Sequence, residues 1–125
     1  MTIKLNNNLR TAMVTAVPDG GSFFVRTGTQ PATADTAPTG TLLVQMDSVY
    51  FGAPTNGVKS VTPAVPGTAV ATGTAGWGRY SDGSSAFDGT VGLAGSGADF
   101  IISATSIVVN GIVTLNTMTV TMPAS

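Results

Sequence analysis

The sequence predicts a mainly β protein: an antiparallel, jelly-roll-like β-sandwich of about seven or eight short strands behind one N-terminal amphipathic helix. Three observations predict it. Short β-branched or aromatic runs are separated by Gly, Pro, Asn and Asp clusters roughly every 8–12 residues. Only one segment, near the N-terminus, carries apolar residues at helical spacing, which argues against alternating βαβ units. The 125 residues fit a single domain, 1–125, large enough to bury a core without a disulfide or metal.

The helix is expected over 5–17, where Leu5, Leu9, Met13 and Val17 recur every four residues beside Ala12 and Ala16. Asn6 or Asn7 can cap it, and Pro18-Asp-Gly-Gly21 ends it. The stripe either docks on the domain's own sheet or packs on a partner subunit, with Leu5, Leu9 and Met13 as the contact candidates. Strands are then expected over 22–27 and 41–47, with a short edge at 49–51, the turn Asn56-Gly57 and a short strand at 58–61 before a Pro-rich link at 62–67. Segments 76–80 and 85–91 flank Asp82-Gly83, a hairpin signal because tight turns need the positive φ that this pair tolerates. Trp77 and Phe87 are core candidates. A strand at 98–103 follows, and Asn110-Gly111 reads as a hairpin joining 107–109 to 112–113. The strand 113–122 alternates, with Met118, Val120 and Met122 on one face and Thr117, Thr119 and Thr121 on the other. Leu115 falls on the threonine face, which predicts a bulge near Asn116.

Composition excludes more chemistry than it suggests. Charged residues make up 9% of the chain, against about 25% in an ordinary soluble protein. All six acidic residues are Asp, and Cys and His are absent. No cofactor or metal site is expected: most zinc, copper, haem and iron–sulfur sites need His or Cys, as do Ser-His-Asp and Cys-His nucleophiles. A net charge of −1, with Lys4, Arg10, Arg26, Lys59 and Arg79 scattered singly, argues against nucleic-acid or membrane-surface binding. No signal-peptide core opens the chain, and aliphatic runs such as 107–109 are far too short for a membrane helix. A surface so poor in charge tends to associate.

The remaining motifs read as structure. The glycine clusters 73–78 and 92–97 lack the strand–helix context and the Lys-Ser/Thr of a phosphate loop, so they are tight turns. Asp82 and Asp88 could serve as a glycosidase pair, but Asp82 is the expected residue of an Asp-Gly turn and no aromatic platform surrounds them. No calcium-loop spacing exists. Lys59 cannot activate Ser60, because neighbours on a strand point to opposite faces. The polar stretch 28–40 is long for a connection within a compact domain. It is either an extended arm laid on a neighbouring subunit or an Ω-like loop packed on its own domain, with Arg26, Thr29, Gln30, Pro31 and Asp35 as contact candidates.

Five segments taken in order carry a resemblance: Asn-Asn-Leu-Arg-Thr-Ala-Met (7–13), Arg-Thr-Gly-Thr-Gln-Pro-Ala-Thr-Ala-Asp (26–35), Gly-Thr-Leu-Leu (40–43), Ala-Gly-Trp (75–77) and Phe-Asp-Gly-Thr-Val-Gly (87–92). Spanning most of the chain, they resemble a family of small structural proteins from tailed bacteriophages, although the more acidic turns of that pattern are missing. The resemblance implies a non-catalytic virion component, most plausibly a capsid decoration (cement) protein assembled in the bacterial cytoplasm. Its expected partners are the major capsid protein or other virion subunits and further copies of itself, with a trimer preferred. The alternative is a tail- or fibre-associated module that binds a host glycan or another tail protein. Sugar binding needs exposed aromatics, for which Tyr50, Phe51 and Tyr80 are the candidates left after the core takes its share.

Overall fold

A computed structural model describes residues 6–61 and 64–121. The protein is mainly β, with helix α1 (Asn7–Thr15) followed by β1 (Gly21–Arg26), β2 (Leu42–Val49), β3 (Val58–Ser60), β4 (Val65–Thr68), β5 (Gly73–Thr74), β6 (Trp77–Ser81), β7 (Ala86–Gly92), β8 (Phe100–Ile102), β9 (Ser106–Ile107) and β10 (Ile112–Thr121). An eight-stranded sheet runs β2-β1-β6-β7-β8-β10-β3, with β4 also on β10; β5 and β9 form a separate pair. The sheet curls on itself. Beyond β4, Ala69 bridges Val44 of β2, and Val70 N–H donates to Leu43 O at 2.8 Å, so one end is nearly a closed barrel. Closure on this scale leaves few open strand edges at that end.

Faces follow from strand parity, and bulges correct parity where the sequence breaks it. In β1, Gly21, Phe23 and Val25 point into the core. β10 buries Val113 and Leu115, then Met118, a switch from odd to even positions. The β8 register jumps from Leu115 to Thr117, leaving Asn116 as the extra residue. The bulge expected there is present. β2 buries Leu43, Val44, Met46 and Val49, and its register against β1 shifts twice for the same reason. Ser48, at φ 57°, lies in one of those shifts. Inside, Phe23 and Phe100 pack 4.7 Å apart, Tyr80 and Phe87 5.3 Å, and Phe51 and Tyr80 5.4 Å. Trp77 is buried as expected, whereas Phe87 is half-buried at the edge of the core.

Several expectations are corrected. The β7–β8 pair is parallel, so the sheet is mixed rather than wholly antiparallel. The Pro-rich link contains β4, which pairs with β10 although Pro66 and Gly67 disfavour strands. Asn110-Gly111 makes a turn, with Gly111 N–H on Val108 O at 2.9 Å, but it does not close a hairpin. Ile107 pairs instead with Gly73 of β5.

The helix docks on a face other than the apolar stripe. Asn6 caps it, its Oδ1 accepting from Leu9 N–H at 2.9 Å. Leu9 and Met13 are 50% and 42% exposed, while Val14 is buried and Arg10, Thr11 and Val17 are half-buried. Polar bonds set this rotation: Thr11 Oγ1 accepts from Gly57 N–H at 2.9 Å. Just after the helix, Lys59 Nζ donates to Val17 O at 2.7 Å and Tyr80 Oη donates to Pro18 O. Leu5 lies outside the described residues, as does Met122.

Candidate functional site

The long polar segment closes on its own domain as an Ω-loop, the second of the two forms expected for it. Its neck is closed by Thr27 N–H on Thr41 O at 3.1 Å and Thr41 N–H on Thr27 Oγ1 at 2.9 Å. A Cβ at Gly40, which sits at φ 78°, would lie 2.0 Å from Thr27 O, so only glycine fits this neck. The loop shelters the outer face of β1 and β6. Arg79 Nη2 reaches Thr36 O at 2.9 Å, and Arg26 Nη1 reaches Gly40 O at 3.3 Å. Of the loop's contact candidates, Thr29, Gln30 and Asp35 are exposed and Pro31 is half-buried.

Under the loop, Arg79 holds Asp88 through two bonds, Nε–Oδ1 at 2.5 Å and Nη2–Oδ2 at 2.9 Å. That contact raises the Arg79 pKa, against the burial that lowers it. The two residues are cross-strand partners on β6 and β7. Asp82 Oδ1 accepts from Ser85 N–H at 2.7 Å and Ser84 N–H at 2.9 Å, which holds its carboxyl below the ordinary range. Both aspartates are thus engaged in building the hairpin. Lys59 and Ser60 do face opposite ways: Lys59 is buried against Val17 O and the Phe51 ring, while Ser60 Oγ meets Thr119 Oγ1 at 3.0 Å.

The aromatic candidates separate. Tyr50 is 54% exposed, but Phe51 is a core residue, which corrects its assignment as a partner contact. Phe51 N–H bonds Asp19 Oδ1 at 3.0 Å, which fixes the turn that carries its ring inward. Tyr80 is fully buried, and that burial pushes its phenol pKa up. The three rings therefore form no exposed platform.

The surface with the clearest capacity for association was not singled out from the sequence. Val70, Val108, Val109 and Ile112 are 62%, 63%, 44% and 64% exposed. They stand on two segments bonded to each other: Asn110 N–H to Ala69 O and Ala69 N–H to Gly111 O, both 2.8 Å, and Val109 N–H to Thr72 Oγ1 at 3.0 Å. Strands β4, β5, β8, β9 and β10 come wholly from 60–78 and 100–125, stretches with no Asp, Glu, Lys or Arg. The signal in the sequence was those two long charge gaps. Pairing of β4 with β10 merges them into one aliphatic, charge-free pole. Such a patch is a usual mark of a protein-binding surface.

Among the described residues, no group of three or more acidic side chains is placed to hold a metal ion, and no helix is long and apolar enough to cross a membrane. Compared with known proteins, the chain matches no family model, no curated protein and no solved structure.

Proposed function

We propose that the protein is a non-catalytic structural component of a tailed-bacteriophage virion, a capsid decoration (cement) protein that binds the assembled shell as a homo-oligomer. The observation that carries the reading is the charge-free pole with exposed Val70, Val108, Val109 and Ile112. Burying four such aliphatics against a partner favours association by roughly 25 cal/mol per Å² of apolar surface, and no charge has to be desolvated to do so. The exposed Leu9 and Met13 and the outer side of the Ω-loop offer further contact area. Many copies on one shell let individually weak contacts give lasting retention. The phage assignment itself rests on the ordered resemblance of segments 7–13, 26–35, 40–43, 75–77 and 87–92.

Copy number in purified particles tests the reading. A decoration protein is present in numbers comparable to the major capsid protein, and particles lacking it disrupt at lower temperature. A few copies confined to the tail would overturn it in favour of the tail or fibre alternative. That alternative has only Tyr50 left of its three aromatic candidates on the surface.

A further inference from the structure

β8 is a wedge only three residues long. It pairs with β7 at Val91 and Gly92 and with β10 from Leu115 to Met118. Where β8 lies between them, β7 and β10 stand two ladder spacings apart, about 10 Å. Upstream of Phe100 the wedge ends while its neighbours continue. Residues 86–89 of β7 have β6 on one side and, among the described residues, no strand on the other; residues 119–121 of β10 likewise have only β3.

The main-chain groups along this seam face each other. Thr90 N–H turns away from β6 to reach Asp99 Oδ2 at 3.0 Å, so by strand alternation the N–H and C=O of Ala86 and Asp88 point the same way. Met118 O accepts from Val61 N–H at 2.9 Å on the β3 side, so Thr119 and Thr121 direct theirs into the seam, the Thr119 N–H toward Asp99 O beside the Met118–Phe100 pair. The space is open. A cavity of about 220 Å³ lies between Asp88, Thr119 and the start of β8 at Asp99 and Phe100. A second, of about 380 Å³, continues past Phe87 and Val120 toward Met13 and Val17. Phe87 and Val120 line both cavities.

We propose that this seam receives an extended segment of a partner protein, which adds a strand between β7 and β10 in line with β8. Two unpaired strand edges one strand-width apart select a peptide backbone as the occupant, because only a chain in β conformation satisfies both rows of donors and acceptors. The segment carries an apolar side chain for the larger cavity, which is walled by Met13, Val17, Phe87 and Val120. Beside Asp99 it carries a Lys or Arg. Asp88 is already neutralised by Arg79, whereas the Asp99 carboxylate is exposed and accepts only from Thr90 in the described bonds. Among the described residues a second copy is a poor donor: Arg79 and Lys59 are buried, Arg26 lies at the neck of the Ω-loop, and Arg10 is on the docked face of α1, while Lys4 lies outside them. The seam is separate from the aliphatic pole and needs no virion role.

Three capped heptapeptides, SVKVKVS, SVDVDVS and SVKPKVS, titrated into the full chain and followed by amide NMR test the proposal. SVKVKVS should move the amides of 85–90 and 118–121. SVDVDVS should bind at least about tenfold more weakly, and the proline peptide, which lacks a central N–H, should not bind. Asp99→Asn, which keeps an oxygen acceptor for Thr90, should remove the preference for lysine and leave the fold intact. Equal binding of all three peptides, shifts elsewhere on the surface, or no binding of SVKVKVS would overturn the proposal. Protection of the same amides that grows with protein concentration alone would also overturn it, since the occupant would then be a second copy.

Discussion

Removing the Asp88 side chain would strand a guanidinium beneath the Ω-loop. The Arg79 and Asp88 side chains are 10% and 4% exposed, and Arg79 would keep only Thr36 O as a hydrogen-bond acceptor, beside the Trp77 ring 5.4 Å away. Breaking one side of a buried pair costs about 3 kcal/mol, because a charge remains where water reaches it poorly. Asp88→Ala should therefore lower the urea midpoint substantially, while Arg79→Met with Asp88→Leu, which removes both charges, should recover most of the loss. Asp82 acts at the same scale through pH. The N–H groups of Ser85 and Ser84 depress its folded-state pKa, so its stabilisation is complete above the unfolded value of about 3.9 and is lost as pH falls through the lower folded value. Asp82→Ala should unfold earlier than the wild type at neutral pH, and the two midpoints should converge as pH falls below the folded-state value. The turn role of Asp82 was legible from Asp-Gly alone. The role of Asp88 was not, because it depends on the β6–β7 register placing Arg79 opposite it.

Strands β2 and β10 show how far an alternation pattern can be read. The single mismatch of Leu115 was enough to place the bulge at Asn116, since Leu115 and Met118 cannot share a face without an extra residue. Deleting Asn116 should therefore leave a regular strand with the same inward residues, whereas deleting Thr119 should turn Val120 outward. The expected result is a folded chain in the first case, with its β8 and β3 pairs intact by amide exchange, and a lower unfolding midpoint in the second. The β2 bulge at Leu43 was hidden because Leu42, Leu43 and Val44 are all apolar, so no alternation was there to break, and the one at Ser48 because the expected strand ended at Asp47. The rotation of α1 was equally out of reach. Its apolar stripe suggested one face, but Val17 O and Pro18 O are held by Lys59 and Tyr80, forty-two and sixty-two residues away. The N-cap, by contrast, is local. Asn6→Ala should remove the bond to Leu9 N–H at a cost of about 1 kcal/mol, read as lost helical circular dichroism before global unfolding.

Charge is partitioned over the whole molecule. Every charged residue of the sequence precedes residue 60 or lies between Arg79 and Asp99, so β4, β5, β9 and the start of β10 carry no charged side chain, whereas Asp88, Asp99 and Lys59 flank the start of β8 and the end of β10. Composition showed that charges were scarce; the strand pairing shows where they are missing. Val70, Val108 and Ile112 in that region are more than 60% exposed, so they contribute little to the core. Their replacement separates association from stability. Val108→Lys combined with Ile112→Lys places two cations on side chains that are 63% and 64% exposed. Surface changes of this kind alter stability by about 0.5 kcal/mol or less, so the unfolding midpoint should hold. Association through the pole should fail, because each ammonium would have to be desolvated against apolar surface. Under the proposed decoration role, sedimentation at rising concentration should show a shift toward monomer, and retention on purified particles should drop by at least about tenfold, which corresponds to about 1.4 kcal/mol. If the double variant associates and binds particles as the wild type does, the pole is not the docking face. The contact would then belong to the exposed helix stripe of Leu9 and Met13, for which Met13→Lys is the matching test.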